Sequence, residues 1–206
     1  MRSKIKLFVA MIVVGALITG CGVFSTKSKG KKETQTIIAL SGEWRSECIK
    51  GDWFDFSQYI DIYKFSALGD FDKISTMYKD QCNTAELTTT LRGTYDALGA
   101  TKDVPDAKDI NFTVTEALVS PRSDIATETL NAVSYCGVSD WKTNKEFSVL
   151  DKDCTGMDFK KGTVVFDIYR LKDNRLYLGK KMTFFSAETN DTRPAKLEED
   201  RALVRQ

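Results

Sequence analysis

The chain has 206 residues with 30 Lys+Arg against 29 Asp+Glu, a formal charge of +1, and no histidine. The near-even balance argues against a nucleic-acid partner, because a phosphate backbone selects basic surfaces. The missing histidine excludes Ser-His-Asp and Cys-His catalysis and His-ligated zinc.

Arg2, Lys4 and Lys6 precede an apolar run from Leu7 to Ile18, broken only by Gly15 and followed by Thr19-Gly20-Cys21. A basic start, a short apolar stretch and small residues before a cysteine form an export signal. The pattern resembles the bacterial lipobox, and what that implies is removal of residues 1–20 and acylation of Cys21 at its thiol and new amino group. The apolar run is shorter than the ~20 residues a spanning helix needs. At ~0.8 kcal/mol per buried CH₂, one acyl chain anchors marginally and two or three hold firmly. The expected location is therefore the cell envelope, as a membrane-anchored lipoprotein. Gly22, rather than Asp, follows the cysteine, which resembles lipoproteins passed to an outer membrane in cells with two membranes.

Cleavage would leave 27 basic and 29 acidic residues, a balance of −2. Residues 21–36 carry Lys27, Lys29, Lys31 and Lys32 in a polar stretch and are expected to form a tether, either a solvated spacer or a segment drawn to anionic headgroups. The remainder, 37–206, is long enough for one folded domain with its own core. It holds Cys48, Cys82, Cys136 and Cys154, and four cysteines in an exported chain argue for two disulfides. Cys48 with Cys82 and Cys136 with Cys154 would each close a short loop, but three pairings are open. A structural metal is the alternative, disfavoured by the wide spacings. No cofactor is expected. There is no glycine-rich phosphate loop, and Asp151 with Asp153 or Glu198 with Glu199 read as solvated carboxylates in hydrophilic turns, so no enzyme is expected.

Short runs of period two separated by turn signals then predict antiparallel strands. They fall at 42–50, at 57–66, where Tyr59, Asp61, Tyr63 and Phe65 alternate with polar and apolar partners, and at 70–79 after Leu68-Gly69. Further strands fall at 86–96, whose threonines suit a sheet, and at 109–119, with Phe112 and Val114 on one side. The period changes at 121–135, predicting a helix capped by Ser120, with Pro121 at its first position, Ile125, Thr129, Leu130 and Val133 at helical spacing, and Gly137 at its end. Strands resume at 146–150, 157–160, 163–171 and 175–183, with Asp173-Asn174 as a hairpin turn, and 202–205 adds a last one. The fold class is mainly β, an antiparallel barrel or half-barrel with one helix.

An ordered set of residues sharpens this: Gly42-Glu43-Trp44, Cys48, Cys82, Arg92-Gly93-Thr94-Tyr95, Phe112-Thr113-Val114, Leu118-Val119-Ser120-Pro121, Cys136-Gly137, Trp141, Cys154, Phe166-Asp167-Ile168-Tyr169, Leu176-Tyr177-Leu178-Gly179 and Arg193-Pro194. Gly-x-Trp resembles the opening of lipocalin-like barrels, and the whole set resembles the repeated domain of the adenomatosis polyposis coli down-regulated 1 family, animal cell-surface Wnt inhibitors. The resemblance implies a lipocalin-like barrel or half-barrel with an apolar cavity. It implies Trp44 plugging one end with Arg92 stacked upon it, a cation-π contact of ~0.5–2 kcal/mol. Here there is one domain where the animal proteins have two, with a lipidated N-terminus. Tyr59, Tyr63, Phe65, Phe112, Val114, Phe166 and Ile168 are the expected pocket walls, facing a hydrophobic or acylated ligand. The alternative is an envelope protein-interaction module with a filled barrel. Expected partners are thus the membrane, through acylated Cys21, and a lipid ligand or an envelope protein.

Overall fold

Eight antiparallel strands close a ring in the computed structural model, which describes residues 39–53, 56–180 and 192–206. The export signal, Cys21 and the tether lie outside the described residues. The strands are β1 (Gly42–Arg45), β2 (Ile49–Trp53), β3 (Phe56–Phe65), β4 (Asp70–Tyr78), β5 (Ala85–Ala100), β6 (Lys108–Pro121), β7 (Phe147–Ser148), β8 (Val164–Lys172), β9 (Arg175–Leu178) and β10 (Leu203–Arg205). The ring runs β1-β10-β9-β8-β6-β5-β4-β3 and returns to β1, with β2 and β7 as additional strands on β3 and β6. Closure removes the exposed edges that a flat sheet of this size would present. The lipocalin-like barrel expected from the sequence is the observed fold.

Local chemistry sets the corners. Asp173 and Asn174 both take left-handed φ, +51° and +56°, as a two-residue hairpin turn that follows the strand twist requires, and they join β8 to β9 through Lys172↔Arg175. Opposite the β6 bulge at Thr115, a Cβ on Gly93 of β5 would lie 1.8 Å from the Thr113 carbonyl oxygen, so only glycine allows β6 this close.

Several sequence expectations are corrected. The strand expected at 42–50 breaks into β1 and β2, because the Ser46 hydroxyl accepts the Asp61 N–H at 2.9 Å and turns the chain there. The helix is α1 (Asp124–Ala132), capped by Ser123 rather than Ser120, since Ser120 and Pro121 still pair with Thr88 and Leu87 in the sheet. Its buried residues are Ala126 and Leu130, while Ile125 and Val133 are exposed. Gly137 lies beyond it in a 3-10 turn. The segment 146–150 shortens to β7. The segment 157–160 is no strand: Met157 and Phe159 are buried by local turns instead, with Met157 N–H donating to Cys154. The strand expected at 175–183 ends at Leu178, and 181–183 lie outside the described residues.

Both disulfides form between successive cysteines. Cys48–Cys82 ties the β1–β2 corner to the β4–β5 turn, and Cys136–Cys154 staples the excursion between β6 and β8. That excursion carries α1, and its Tyr135, Trp141, Val149, Met157 and Phe159 join the barrel interior in one continuous core.

Candidate functional site

Alternation on the strands aims one row of each into the ring. From β3 come Tyr59, Asp61, Tyr63 and Phe65; from β4 Phe71, Lys73, Ser75 and Met77, their register partners. β5 and β6 add Leu87, Thr89, Leu91 and Tyr95, then Ile110, Phe112 and Val114. Five of the seven expected wall residues, Tyr59, Tyr63, Phe65, Phe112 and Val114, therefore share the interior, all buried.

Toward the β3–β4 hairpin, aromatic side chains fill the lumen. Phe112 meets Phe71 edge-on at 4.9 Å between centroids, Phe65 meets Tyr95 likewise at 4.9 Å, and Tyr63 stacks on Phe65 at 6.0 Å. Such pairs add ~0.5–1.5 kcal/mol each beyond their burial. The Tyr95 hydroxyl donates to the Ser66 carbonyl at 2.9 Å, fixing the hairpin to this plug. Beyond the plug comes one polar layer, in which Ser75 donates to the Asp61 carboxylate and Thr89 stands opposite Ser75, and after it Tyr59, Met77 and Leu87 resume the apolar core. Burial pushes the Tyr59 phenol up to about 12, with the Asp61 charge adding to the rise, and holds Tyr63 well above its usual range for the same two reasons.

Phe166 and Ile168 are corrections, because β8 turns its other row inward. Val165 and Tyr169 belong to the main core, whereas Ile168 packs with Ala107 and Leu197 in a separate outer cluster. Between them Asp167, fully buried, accepts N–H groups of Ile168 at 2.8 Å and Gly179 at 3.0 Å. Both backbone donors go to Oδ1 and offset part of the cost of burying the carboxylate there. The strap 192–197 covers the outer row. Arg193 lies 5.2 Å over the Phe166 ring and donates to the carbonyls of Ile110 and Asp167 and to Asn111 Oδ1.

The end plug is also corrected. Trp44, 1% exposed, donates from Nε1 to the Leu40 carbonyl at 2.7 Å, and the guanidinium 4.4 Å above its ring is that of Arg205. Arg205 also donates to the Ala39 carbonyl. Arg92 stands on the outside of β5, paired with Glu116 at 3.0 Å and Asp72 at 3.7 Å. Plain alternation between the inward Leu91 and Gly93 puts it there. Sequence reasoning missed Arg205, whose only signal is its alternation with Leu203 in a strand of three residues.

Beside β2 a cavity of about 360 Å³ lies against the wall, lined by 46–50 on one side and by Arg175, 199–202 and Val204 on the other. Arg201 Nη1 donates to the Tyr59 hydroxyl at 2.8 Å. Among the described residues no group of Cys, Asp and Glu converges as metal ligands. No protein-family model matches this chain, and no curated protein matches it significantly.

Proposed function

We propose that this chain is an extracytoplasmic lipoprotein, held to a membrane through acylated Cys21, whose barrel takes up a hydrophobic or acylated ligand. The observation that carries the reading is the closed ring of inward rows, in which a layer of Ser75 and Thr89 lies between the aromatic plug and the flexible Met77 with Leu87. Short side chains and a flexible methionine are the ones that yield to a chain-like guest. Interior rows of this kind need no cofactor, because apolar area supplies the affinity and a few polar groups supply orientation.

A filled barrel acting as an envelope protein-interaction module is the second reading. It is favoured by the mutual packing of Tyr63, Phe65, Phe71, Tyr95 and Phe112, which needs no guest. Native mass spectrometry on the acylated protein, gently extracted from its own membrane, separates the two. A bound mass released by organic solvent and identified as a lipid or acylated metabolite is expected. A protein that carries none and takes up no fluorescent fatty acid would transfer the assignment to the interaction module.

A further inference from the structure

Among the described residues, a stretch beside β2 has no ladder joining it to the strands across from it. β1 pairs with β10 through Trp44↔Arg205 and Arg45↔Val204, but β2, next along the same edge of β3, pairs among the described residues with β3 alone. Facing its free edge is the 199–202 turn, and the cavity of about 360 Å³ lies between them. Tyr59 does not line the cavity but is bonded to one residue that does, Arg201. Its ring lies against Gly51, where a Cβ would come within 2.7 Å of Cε1, and its hydroxyl is fastened to Arg201 from the opposite wall. One inward side chain of the barrel is thus tied to the wall of the cavity by an arginine of the segment across it.

We propose that this slot is the port through which an anionic single-chain amphiphile, a fatty carboxylate or a lysophosphate, passes into the barrel. The proposal rests on the ligand-binding reading above. Glu199 is engaged by Arg170 at 2.6 Å, so the slot presents Lys50, Arg175 and Arg201 against Glu47 and Asp200. An arriving anion offers Arg201 a charge-assisted bond, stronger than the one to a neutral phenol, and so releases the Tyr59 ring. The chain then follows into the lumen beside Met77, the register partner of Tyr59. The far end of the barrel is shut by the aromatic plug, which leaves the wall as the route in.

The test is photo-cross-linking on the full acylated protein in its membrane, with three diazirine probes: palmitate, lysophosphatidate and an uncharged monoacylglycerol. Labelled peptides are mapped by mass spectrometry. Label on 46–51, Tyr59 and 199–202 is expected from an anionic probe and much less from the uncharged one, and the stronger anionic probe identifies the headgroup. Arg175→Gln with Arg201→Gln should lower that label roughly tenfold, the scale of a lost charged hydrogen bond. Tyr59→Phe keeps the ring but removes the latch, and should raise the labelling rate; it also serves if the double variant does not fold. Label confined to barrel peptides around Leu87 and Val119, unchanged in both variants, would overturn the port and leave ligand binding standing. No specific label from either anionic probe would overturn both.

Discussion

Replacing Arg205 by alanine should cost about 3 kcal/mol, and replacing Arg92 by alanine under about 1. The Arg205 guanidinium sits 4.4 Å over a ring that is 1% exposed, a desolvated geometry in which a cation-π contact is worth ~2 kcal/mol. Its loss also strips the Ala39 carbonyl of a charged donor, a further ~1 kcal/mol or more. Arg92 has a side chain 41% exposed, and surface pairs such as those with Glu116 and Asp72 contribute ~0–1 kcal/mol after solvent screening. For a domain of this size each kcal/mol moves the melting temperature by ~2–4 °C, so Arg205→Ala should melt ~6–12 °C lower and Arg92→Ala within ~4 °C of the parent. Circular dichroism melts measure both, and Trp44 fluorescence reports the local change. Equal losses in the two variants, or a larger one for Arg92→Ala, would refute the assignment of Arg205 as the plug.

Gly93→Ala should prevent closure of the barrel or cost several kcal/mol, since the added methyl meets backbone at 1.8 Å rather than a movable side chain; proteolysis and expression level read this directly. Deleting the Cys48–Cys82 bridge, which spans 34 residues, should cost about 3.8 kcal/mol by chain entropy, and deleting Cys136–Cys154, spanning 18, about 3.2, with denaturant midpoints as the measure. Alkali should destabilise the fold. The phenols of Tyr59, Tyr95 and Tyr135 are raised from 10 to about 12, so the unfolded chain loses these protons first and stability falls as pH climbs from 10 toward 12. Phenolate absorbance should then rise together with loss of β-sheet circular dichroism; ionisation well ahead of unfolding would contradict it. Cys21→Ser should release the protein from membranes in fractionation, and retention would argue against the lipid anchor.

The strands of the ring were legible because their faces differ. Tyr59, Tyr63 and Phe65 on β3, and Phe112 with Val114 on β6, alternate with side chains that face away, and Asp173-Asn174 names its own turn. β8 was misread for a physical reason. Its outer row starts with Val164, Phe166 and Ile168 and turns basic only at Arg170 and Lys172, whereas the inner row contains Asp167 among its first residues, so local hydropathy selects the wrong side. Two backbone donors reverse that choice, and the strap that covers Ile168 with Leu197 comes from thirty residues later, beyond any local window. The slot at β2 was likewise invisible, because it arises where β2, paired with β3, has no second strand beside it among the described residues, which composition does not encode.

The seam between β1 and β10 joins residues about 160 positions apart and is only two register pairs wide. During synthesis every intermediate length is an open sheet with two sticky edges, and the circle is completed by one of the shortest strands after all the others are laid down. Such late, long-range closure is intrinsically slow. Trimming 203–205 would therefore be expected to yield self-association rather than a slightly weakened monomer, with the bared edges of β1 and β9 seeking partners on other copies.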